Sequence, residues 1–202
     1  MQERSQITRA ALLKSALHCF GRLGYDGASV ACICQDACVS KGAFYHHFPS
    51  KQALFLELLQ EWLQTLDDRF SALEDAGGSA PEMLESMARQ AGSILQDASG
   101  QLPVYLEFIQ QAARDPVIWK HTIEPLHRYQ ERFARLLQDG MQDGTLQPAH
   151  APSAARALVA MAVGLLLQAS LDPREEDWSD VMHASVALFL NGLRGTSQES
   201  RT

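Results

Sequence analysis

The stretch of sequence that decides the fold is ASVACICQDACVSKGAFYHHF, residues 28–48. It predicts two short helices joined by a tight turn at residues 37–39. Ser29 and Ser40 stand at N-cap positions, where a serine oxygen accepts a hydrogen bond from a free N–H of the first helical turn. Pro49 disfavours helix at the residue before it, so the second helix must be brief. This spacing is typical of a helix-turn-helix unit, whose second helix lies in the major groove of DNA.

The first turn of the second helix suits a close approach to DNA. It is built from small or cationic residues: Ser40, Lys41, Gly42 and Ala43. The free N–H groups and the positive dipole at a helix N-terminus also favour phosphate. Tyr45 and His46 follow on the next turn, where a phenol or imidazole reaches a phosphate oxygen or a base edge. Lys51, at the start of the next helix, is predicted to supply a second phosphate contact.

Helical spacing continues on both sides of this unit, and no convincing run of alternating strand residues is present. Before it, a helix that ends at Gly24 has one apolar face: Leu12, Ala16, Cys19, Phe20 and Leu23. After it, Ser50 caps a long helix that ends at residues 77–79. Further helices are predicted near 81–97, 102–114, 123–140, 153–171 and 177–194, with Thr122 capping the one that holds Pro125 in its first turn. The fold class is therefore all-α with about nine helices: a three-helix head and a C-terminal helical body.

Composition and charge limit the classes of function. The chain has 202 residues, 46% hydrophobic and 20% charged, with a formal net charge of −7, which is ordinary for a folded soluble protein. Residues 1–52 hold six basic and three acidic side chains, or +3, which leaves eleven basic and 21 acidic groups, or −10, for the remainder. A basic head on an acidic body permits a nucleic-acid partner for the head. Without a secretory signal or a stretch of about 18 consecutive apolar residues, we expect no membrane association and a cytoplasmic location.

Residues 7–60 resemble the DNA-binding domain of the tetracycline-repressor-like (TetR) transcriptional regulators. Three segments carry the resemblance: 12–25, 29–33 and 39–54, the last of which reads VSKGAFYHHFPSKQAL. It implies a homodimeric repressor whose two heads read successive major grooves of a palindromic operator, and a cavity for a small-molecule effector in the body. The predicted DNA-facing residues are Ser29, Ser40, Lys41, Gly42, Ala43, Tyr45, His46 and Lys51. The resemblance implies that Phe44 and Phe48 pack inward instead.

The sequence departs from the family pattern at Cys34 and Cys38, where the family usually has a small residue and the glycine of the turn. A cysteine at the turn must either adopt a positive φ or shift the turn. A thiol-redox-responsive regulator that uses Cys38 is therefore an alternative function, since a residue in a turn is accessible. Cys19 and Cys34 are expected to be small core residues, and the spacing of these cysteines and Cys32 resembles no standard zinc pattern.

The effector cavity is expected among apolar and aromatic side chains of the middle helices, because ligand cavities are mostly lined by such groups. The candidate effector contacts are Trp62, Phe70, Met87, Tyr105, Phe108, Trp119 and Tyr129. For any single one of them plain core packing is favoured, since a helical bundle fills its interior with this kind of side chain, whereas for the group a pocket is favoured. Residues 154–171 are apolar on nearly every face, which indicates a helix that is buried on most sides. Burial within the chain is one interpretation, and the family resemblance implies instead that residues 154–171 and 181–193 form the dimer surface.

The sequence thus predicts a repressor with a helix-turn-helix domain over residues 1–50 and a ligand-binding and dimerisation domain over residues 51–202. Its expected partners are double-stranded operator DNA, a small apolar or amphipathic effector and a second copy, and no cofactor or metal is expected. An enzyme is disfavoured because no Ser-His-Asp spacing, carboxylate pair, phosphate loop or metal motif appears. The alternatives are an architectural DNA binder and a helical-bundle protein that does not bind DNA.

Overall fold

A computed structural model of the chain describes residues 2–97, 102–172 and 177–194, with the side chains of all of these except 2, 3, 94–97, 102, 103 and 105. Within this part of the chain there are nine α-helices and no strand. They are α1 (Gln2–Gly27), α2 (Val30–Asp36), α3 (Lys41–His47), α4 (Lys51–Ala76), α5 (Ala80–Asp97), α6 (Leu102–Ala112), α7 (Pro116–Gln142), α8 (Ala151–Leu171) and α9 (Trp178–Leu193). The predicted all-α fold is confirmed.

The helices are grouped in two compact units. The first is formed by Met1–Thr65 and Gly100–Ile123, and the second by Leu66–Ser99 and Glu124–Thr202. The helices α4 and α7 therefore each contribute residues to both units. The predicted boundary at residue 50 divides the chain by function, into a DNA-binding part and a ligand-binding part, and not by compactness. It therefore stays a prediction.

In the first unit, α1 buries the apolar face that its sequence predicts, except at its end. Leu12, Ala16, Cys19 and Phe20 are at most 4% exposed, whereas Leu23 is 47% exposed. The core of this unit is thus built on the middle of α1, and the prediction that Leu23 shares the buried face is wrong.

The exposure of Leu23 follows from the break in α1 at Gly24. Gly24 has a φ of 69°, a conformation that costs glycine little. Beyond this break, the ring centroid of Tyr25 lies 5.6 Å from that of Phe20 and 4.4 Å from that of Phe55. Tyr25 therefore covers the end of the core, and Leu23 stays on the surface.

The helix α7 begins earlier than predicted. Thr122 was expected to cap it, with Pro125 in its first turn, but α7 begins at Pro116 and Pro125 lies inside it. The Oδ1 atom of Asp115 accepts hydrogen bonds from the two N–H groups that follow Pro116, at 2.8 and 3.2 Å. The Thr122 hydroxyl instead donates to a carbonyl of the preceding turn at 2.8 Å. An aspartate cap followed by proline at the first helical position is the stronger start signal.

In the second unit, α5 and α9 pack closely because residue 92 is glycine. A β-carbon on Gly92 would lie 2.7 Å from the Cα atom of Ser179, a distance that packed atoms do not reach. An ion pair joins the same two helices, with Arg194 Nη2 at 2.9 Å from Glu85 Oε1. At this point the backbones of α5 and α9 therefore approach more closely than any other residue at position 92 would allow.

Also in the second unit, Arg128 and Arg132 of α7 form ion pairs with Asp67 and Glu74 of the C-terminal part of α4. The Nε atom of Arg132 donates to Glu74 Oε1 at 2.7 Å, and Arg128 Nη2 donates to Asp67 Oδ2 at 2.9 Å. The Arg132 guanidinium is largely covered, which protects its pairing from solvent screening better than that of the exposed Arg128.

Candidate DNA-binding surface

Serine side chains begin both short helices of the first unit, as the sequence predicts. The hydroxyl oxygen of Ser29 accepts a hydrogen bond from the Cys32 N–H at 3.1 Å, and that of Ser40 accepts one from the Ala43 N–H at 3.1 Å. Each oxygen thus satisfies one free donor of its helix. Each hydroxyl keeps its own O–H, which is available to donate to a phosphate oxygen.

The helix α2 is fixed against α1 by polar contacts that sequence reasoning missed. The Nδ1 atom of His18 lies 3.0 Å from Asp36 Oδ1. Hydrogen bonds from Ser15 and from His18 hold the pKa of the Asp36 carboxyl below its usual value. These pairs depend on how α2 crosses α1, which the local spacing of residues does not encode.

The turn between α2 and α3 keeps a tight form despite its cysteine. Cys38 has a φ of 54°, so it takes the left-handed conformation that glycine adopts most easily. The Cys38 N–H donates to the Gln35 carbonyl at 3.2 Å, and the Val39 N–H donates to the Cys34 carbonyl at 3.0 Å. Of the two possibilities that the sequence left open, the chain therefore adopts the positive φ.

We expect Cys38→Gly to be more stable than Cys38→Ala by about 1 kcal/mol, because a side chain costs roughly 1–2 kcal/mol in the left-handed region. Neither variant has a thiol, so the difference in their free energies of unfolding reports the backbone alone. Chemical denaturation of both variants measures it. Equal stabilities would contradict the strained turn.

The exposed face of α3 carries four of the eight predicted DNA contacts. Tyr45 is 56% exposed, and Lys41, Gly42 and His46 are also exposed. Ala43, a fifth predicted contact, is half-buried.

The opposite face of α3 is buried. Phe44 is fully buried and Phe48 is 3% exposed, so the inward packing of both rings is confirmed. The Phe44 ring also meets the Tyr45 ring edge-on, with centroids 5.3 Å apart. The core of the first unit thus fixes which side of α3 is presented to the outside.

The structure gives Lys51 a role in the fold that sequence reasoning missed. Its Nζ atom donates hydrogen bonds to the carbonyls of Tyr25 at 2.6 Å and of Ala28 at 3.0 Å. It also lies 4.2 Å from the centre of the Tyr25 ring, and burial lowers the pKa of its ammonium group. A phosphate contact by Lys51 stays a prediction. It would use the third N–H of the ammonium group, which donates to neither carbonyl.

We expect Lys51→Met to lower the free energy of unfolding by about 2 kcal/mol, because two carbonyls at the end of α1 lose their donor. Lys14→Met, which changes an exposed lysine of α1, is the matched control and should be nearly neutral. Thermal and denaturant unfolding of the two variants measure the difference. If Lys51→Met were as stable as the native protein, the two hydrogen bonds would not stabilise the fold, and the phosphate contact would be the one role still proposed for Lys51.

The predicted effector residues do not share one environment. Phe70 and Met87, of the second unit, are buried, and Tyr129 of that unit is half-buried. Phe108, of the first unit, is 1% exposed and Trp119 is 53% exposed. Trp62, also of the first unit, is half-buried, and the side chain of Tyr105 lies outside the described residues.

Within their units, several of these residues take part in packing. The Phe108 ring stacks on that of Phe55 with centroids 4.0 Å apart, and the Phe70 ring meets that of Tyr129 edge-on at 6.0 Å. Burial raises the pKa of the Tyr129 hydroxyl above its usual range. Core packing thus explains the position of the Phe108 ring. The role of the whole set of residues in effector binding stays a prediction.

An open groove of about 360 Å³ lies between α1 and α4 in the first unit. Its lining contains none of the predicted effector residues: it is formed by Gln6, Arg9, Ala10, Leu13, Lys14, Leu17, Leu58 and Glu61. Among the described residues, no group of three or more His, Cys, Asp or Glu side chains could hold a metal ion.

The helix α8 is long and apolar enough to cross a membrane, on length and composition alone. Its most apolar window has a mean hydropathy of 1.7, and only 33% of that window is buried inside the chain. Val163, Leu167 and Leu171 are exposed on it. That this apolar surface contacts a second copy stays a prediction.

Two short serine-capped helices joined by a tight turn, the second with polar side chains outside and two phenylalanines buried, have the arrangement of a helix-turn-helix unit. Comparison with protein families agrees. Residues 12–58 match the model of the bacterial regulatory proteins of the tetR family, and residues 80–194 match that of the BetI-type transcriptional repressor C-terminal domain. The second match alone covers more than half of the chain. The chain therefore belongs to the TetR family and is a helix-turn-helix transcriptional repressor rather than an enzyme.

Individual relatives are similar over nearly the whole chain. The regulator UidR of Escherichia coli K12 is 28% identical over 96% of this chain and 93% of UidR. The structure of KstR2 of Mycobacterium tuberculosis covers 93% of this chain and 95% of its own, with a TM-score of 0.74 at 20% identity. A regulator from Saccharomonospora viridis in complex with choline covers 93% and 98%, with a TM-score of 0.78 at 21% identity. These two structures support the fold only.

Proposed function

We propose that this repressor binds a palindromic operator as a homodimer and is released from it by a small apolar or amphipathic effector. The observation that carries the proposal is the outer face of α3, where Lys41, Gly42, Tyr45 and His46 are exposed. A helix of this kind fits the major groove, with its N-terminal residues at the base edges. Ser29, Ser40, Ala43 and Lys51 complete the proposed contact surface.

The charge distribution supports the head as the part that meets DNA. The +3 charge of residues 1–52 attracts the phosphate backbone, and the −10 charge of the remaining residues is repelled by it. Non-specific contact of the duplex with the body is therefore discouraged. The domain division at residue 50 and a cytoplasmic location belong to the same proposal.

The exposed apolar residues of α8 and α9 support the homodimer. Leu167 is 45% exposed, Leu171 is 75% exposed and, on α9, Leu188 is 76% exposed. Among the residues that the structure describes, a β-carbon added at Gly164 or at Gly192 would meet nothing within 4 Å. Surfaces with exposed leucines and small residues let two helices approach closely, so a second copy is the proposed occupant.

Contacts within the first unit support transmission from an effector to the head. The Phe108 ring of α6 stacks on the Phe55 ring of α4, and the Gln52 Nε2 atom donates to Asp115 Oδ2 at 2.7 Å. A displacement of α6 or of the start of α7 is thus passed to the first turns of α4. The two heads fit the operator in one arrangement and not in another. An effector that binds the second arrangement more tightly than the first, by a few kcal/mol, is enough to release the protein from the operator.

The effector itself is proposed to contact Trp62, Phe70, Met87, Tyr105, Phe108, Trp119 and Tyr129. The structural relative bound to choline supports a small-molecule ligand in a protein of this fold, and choline has the mixed polar and apolar character proposed here. Aromatic faces attract such a cation.

The test is to select DNA from a random-sequence pool with the purified protein, and then to titrate salt for the selected duplex and for random DNA. A palindromic selected sequence that binds at least a thousandfold more tightly than random DNA at physiological salt is expected. Equal binding of both duplexes would instead make the protein an architectural binder.

A further inference from the structure

Two thiols of the first unit lie in contact across two helices. The Sγ atom of Cys19 on α1 is 3.3 Å from the Sγ atom of Cys32 on α2. Cys19 is buried and Cys32 is half-buried, so an oxidant in solution reaches Cys32 first. The other two thiols have different surroundings: Cys34 is buried with its Sγ atom 3.9 Å from the Ser40 carbonyl, and Cys38 is exposed in the turn.

We propose that Cys19 and Cys32 form an oxidisable dithiol site. Their disulfide links α1 to α2 and lowers the affinity of the helix-turn-helix head for DNA. The oxidant is a hydroperoxide. In this proposal the redox-active residues are Cys19 and Cys32 rather than Cys38. Cys38 is exposed, but among the described residues it has no neighbouring thiol with which to form a disulfide. The effect on DNA rests on the proposed function, whereas formation of the disulfide does not.

The reaction has two balanced steps. The Cys32 thiol attacks the peroxide oxygen, which breaks the O–O bond and gives a sulfenic acid and one molecule of water or alcohol. The Cys19 sulfur then attacks the Cys32 sulfur, the S–O bond breaks, and the departing hydroxide takes the Cys19 proton to leave as water. Two thiols lose two hydrogens and two electrons to one hydroperoxide.

The environment of the pair suits this order of events. Burial, with the neighbouring Cys32 sulfur, raises the pKa of the Cys19 thiol to about 12. Cys19 therefore keeps its proton and does not compete for the oxidant, while it stays within reach of the sulfur that does. A sulfenic acid formed at Cys32 meets a partner sulfur at once, which favours a disulfide over further oxidation.

Formation of the bond moves the part of α2 that carries a proposed DNA contact. A disulfide brings two sulfur atoms to about 2.05 Å, so the pair must close by about 1.2 Å. The Cys32 N–H is the donor that Ser29 accepts at the start of α2, and α2 leads through the turn into α3. Recognition tolerates only about 0.5 Å of misplacement, so we expect the displacement to reach the DNA-facing side chains.

The experiment uses the full-length protein in its reduced form and a duplex selected from the random pool. The protein is treated with hydrogen peroxide, remaining thiols are alkylated, and non-reduced peptides are mapped by mass spectrometry. We expect a Cys19–Cys32 linked peptide and a loss of about a hundredfold in affinity, which is the loss of one directional contact in each of the two heads, with recovery in dithiothreitol. Cys38→Ser is the matched control and should respond as the native protein does.

Cys32→Ala, a substitution at a half-buried position, should give no linked peptide and no response to peroxide. Absence of the linked peptide from the native protein, or an equal loss of affinity in Cys32→Ala, overturns the dithiol site. A linked peptide with unchanged affinity overturns the effect on DNA. If the reduced protein does not discriminate the selected duplex, the proposed function fails instead, and the peptide map still decides whether the dithiol site exists.

Discussion

Tyr45→Ala should lower the affinity for the selected operator about a hundredfold. The side chain is 56% exposed on the outer face of α3, and the proposed homodimer would present it to both half-sites. The loss of one good contact costs about 1–3 kcal/mol, so two such losses amount to about 2–6 kcal/mol, and a hundredfold loss lies in the lower part of this range. Fluorescence anisotropy with the selected duplex and with random DNA, at one fixed salt concentration, measures the change.

Two further variants separate the contributions of Tyr45. Tyr45→Phe keeps the ring that meets Phe44 edge-on and removes only the hydroxyl. If it behaves like Tyr45→Ala, the hydroxyl makes the contact, and if it binds normally, the ring does. Ile109→Ala changes an equally open apolar side chain on α6 and should leave DNA binding unchanged. Normal binding by Tyr45→Ala would remove α3 from the interface.

A charge on the exposed face of α8 or α9 should dissociate the homodimer. We expect the double variant Leu167→Glu/Leu188→Glu to be monomeric and to lose at least a thousandfold in operator affinity, because a carboxylate buried without a partner costs several kcal/mol. A monomer also holds only one half-site, so the advantage of simultaneous binding is lost. Sedimentation velocity of the native protein and the variant measures the assembly state.

Val117→Glu is the matched control for the dimer prediction. Val117 lies on α7 and is 52% exposed, close to the 45% exposure of Leu167. It should stay dimeric, since it lies outside the proposed surface. A native protein that sediments as a monomer at micromolar concentration, or a double variant that stays dimeric with full DNA binding, would refute the assignment of α8 and α9.

Local sequence signals predicted the head well. Ser29 and Ser40 begin their helices where the capping preference places them, and Phe44 and Phe48 are buried as the family resemblance implies. Such features depend on residues within one helical turn of each other. The family resemblance of residues 7–60 rested on these same positions.

Features that depend on how helices meet could not be predicted in this way. The hydrogen bonds of Lys51 to the end of α1 require the break at Gly24, and the contact of Cys19 with Cys32 requires one particular crossing of α1 and α2. The start of α7 was misplaced for a different reason. Thr122 and Pro125 together resemble a helix start, whereas the helix begins at the stronger signal that Asp115 and Pro116 provide.

The close packing at Gly92 has a consequence for how this protein tolerates mutation. Even alanine at residue 92 forces α9, which carries Ser179, away from α5, so change at this position is limited by the fold of a single chain. A β-carbon at Gly164 or at Gly192 meets none of the described residues, so that part of the chain places no such limit on them. Selection against larger residues at 164 and 192, as strong as at 92, would therefore be an evolutionary record of a second copy.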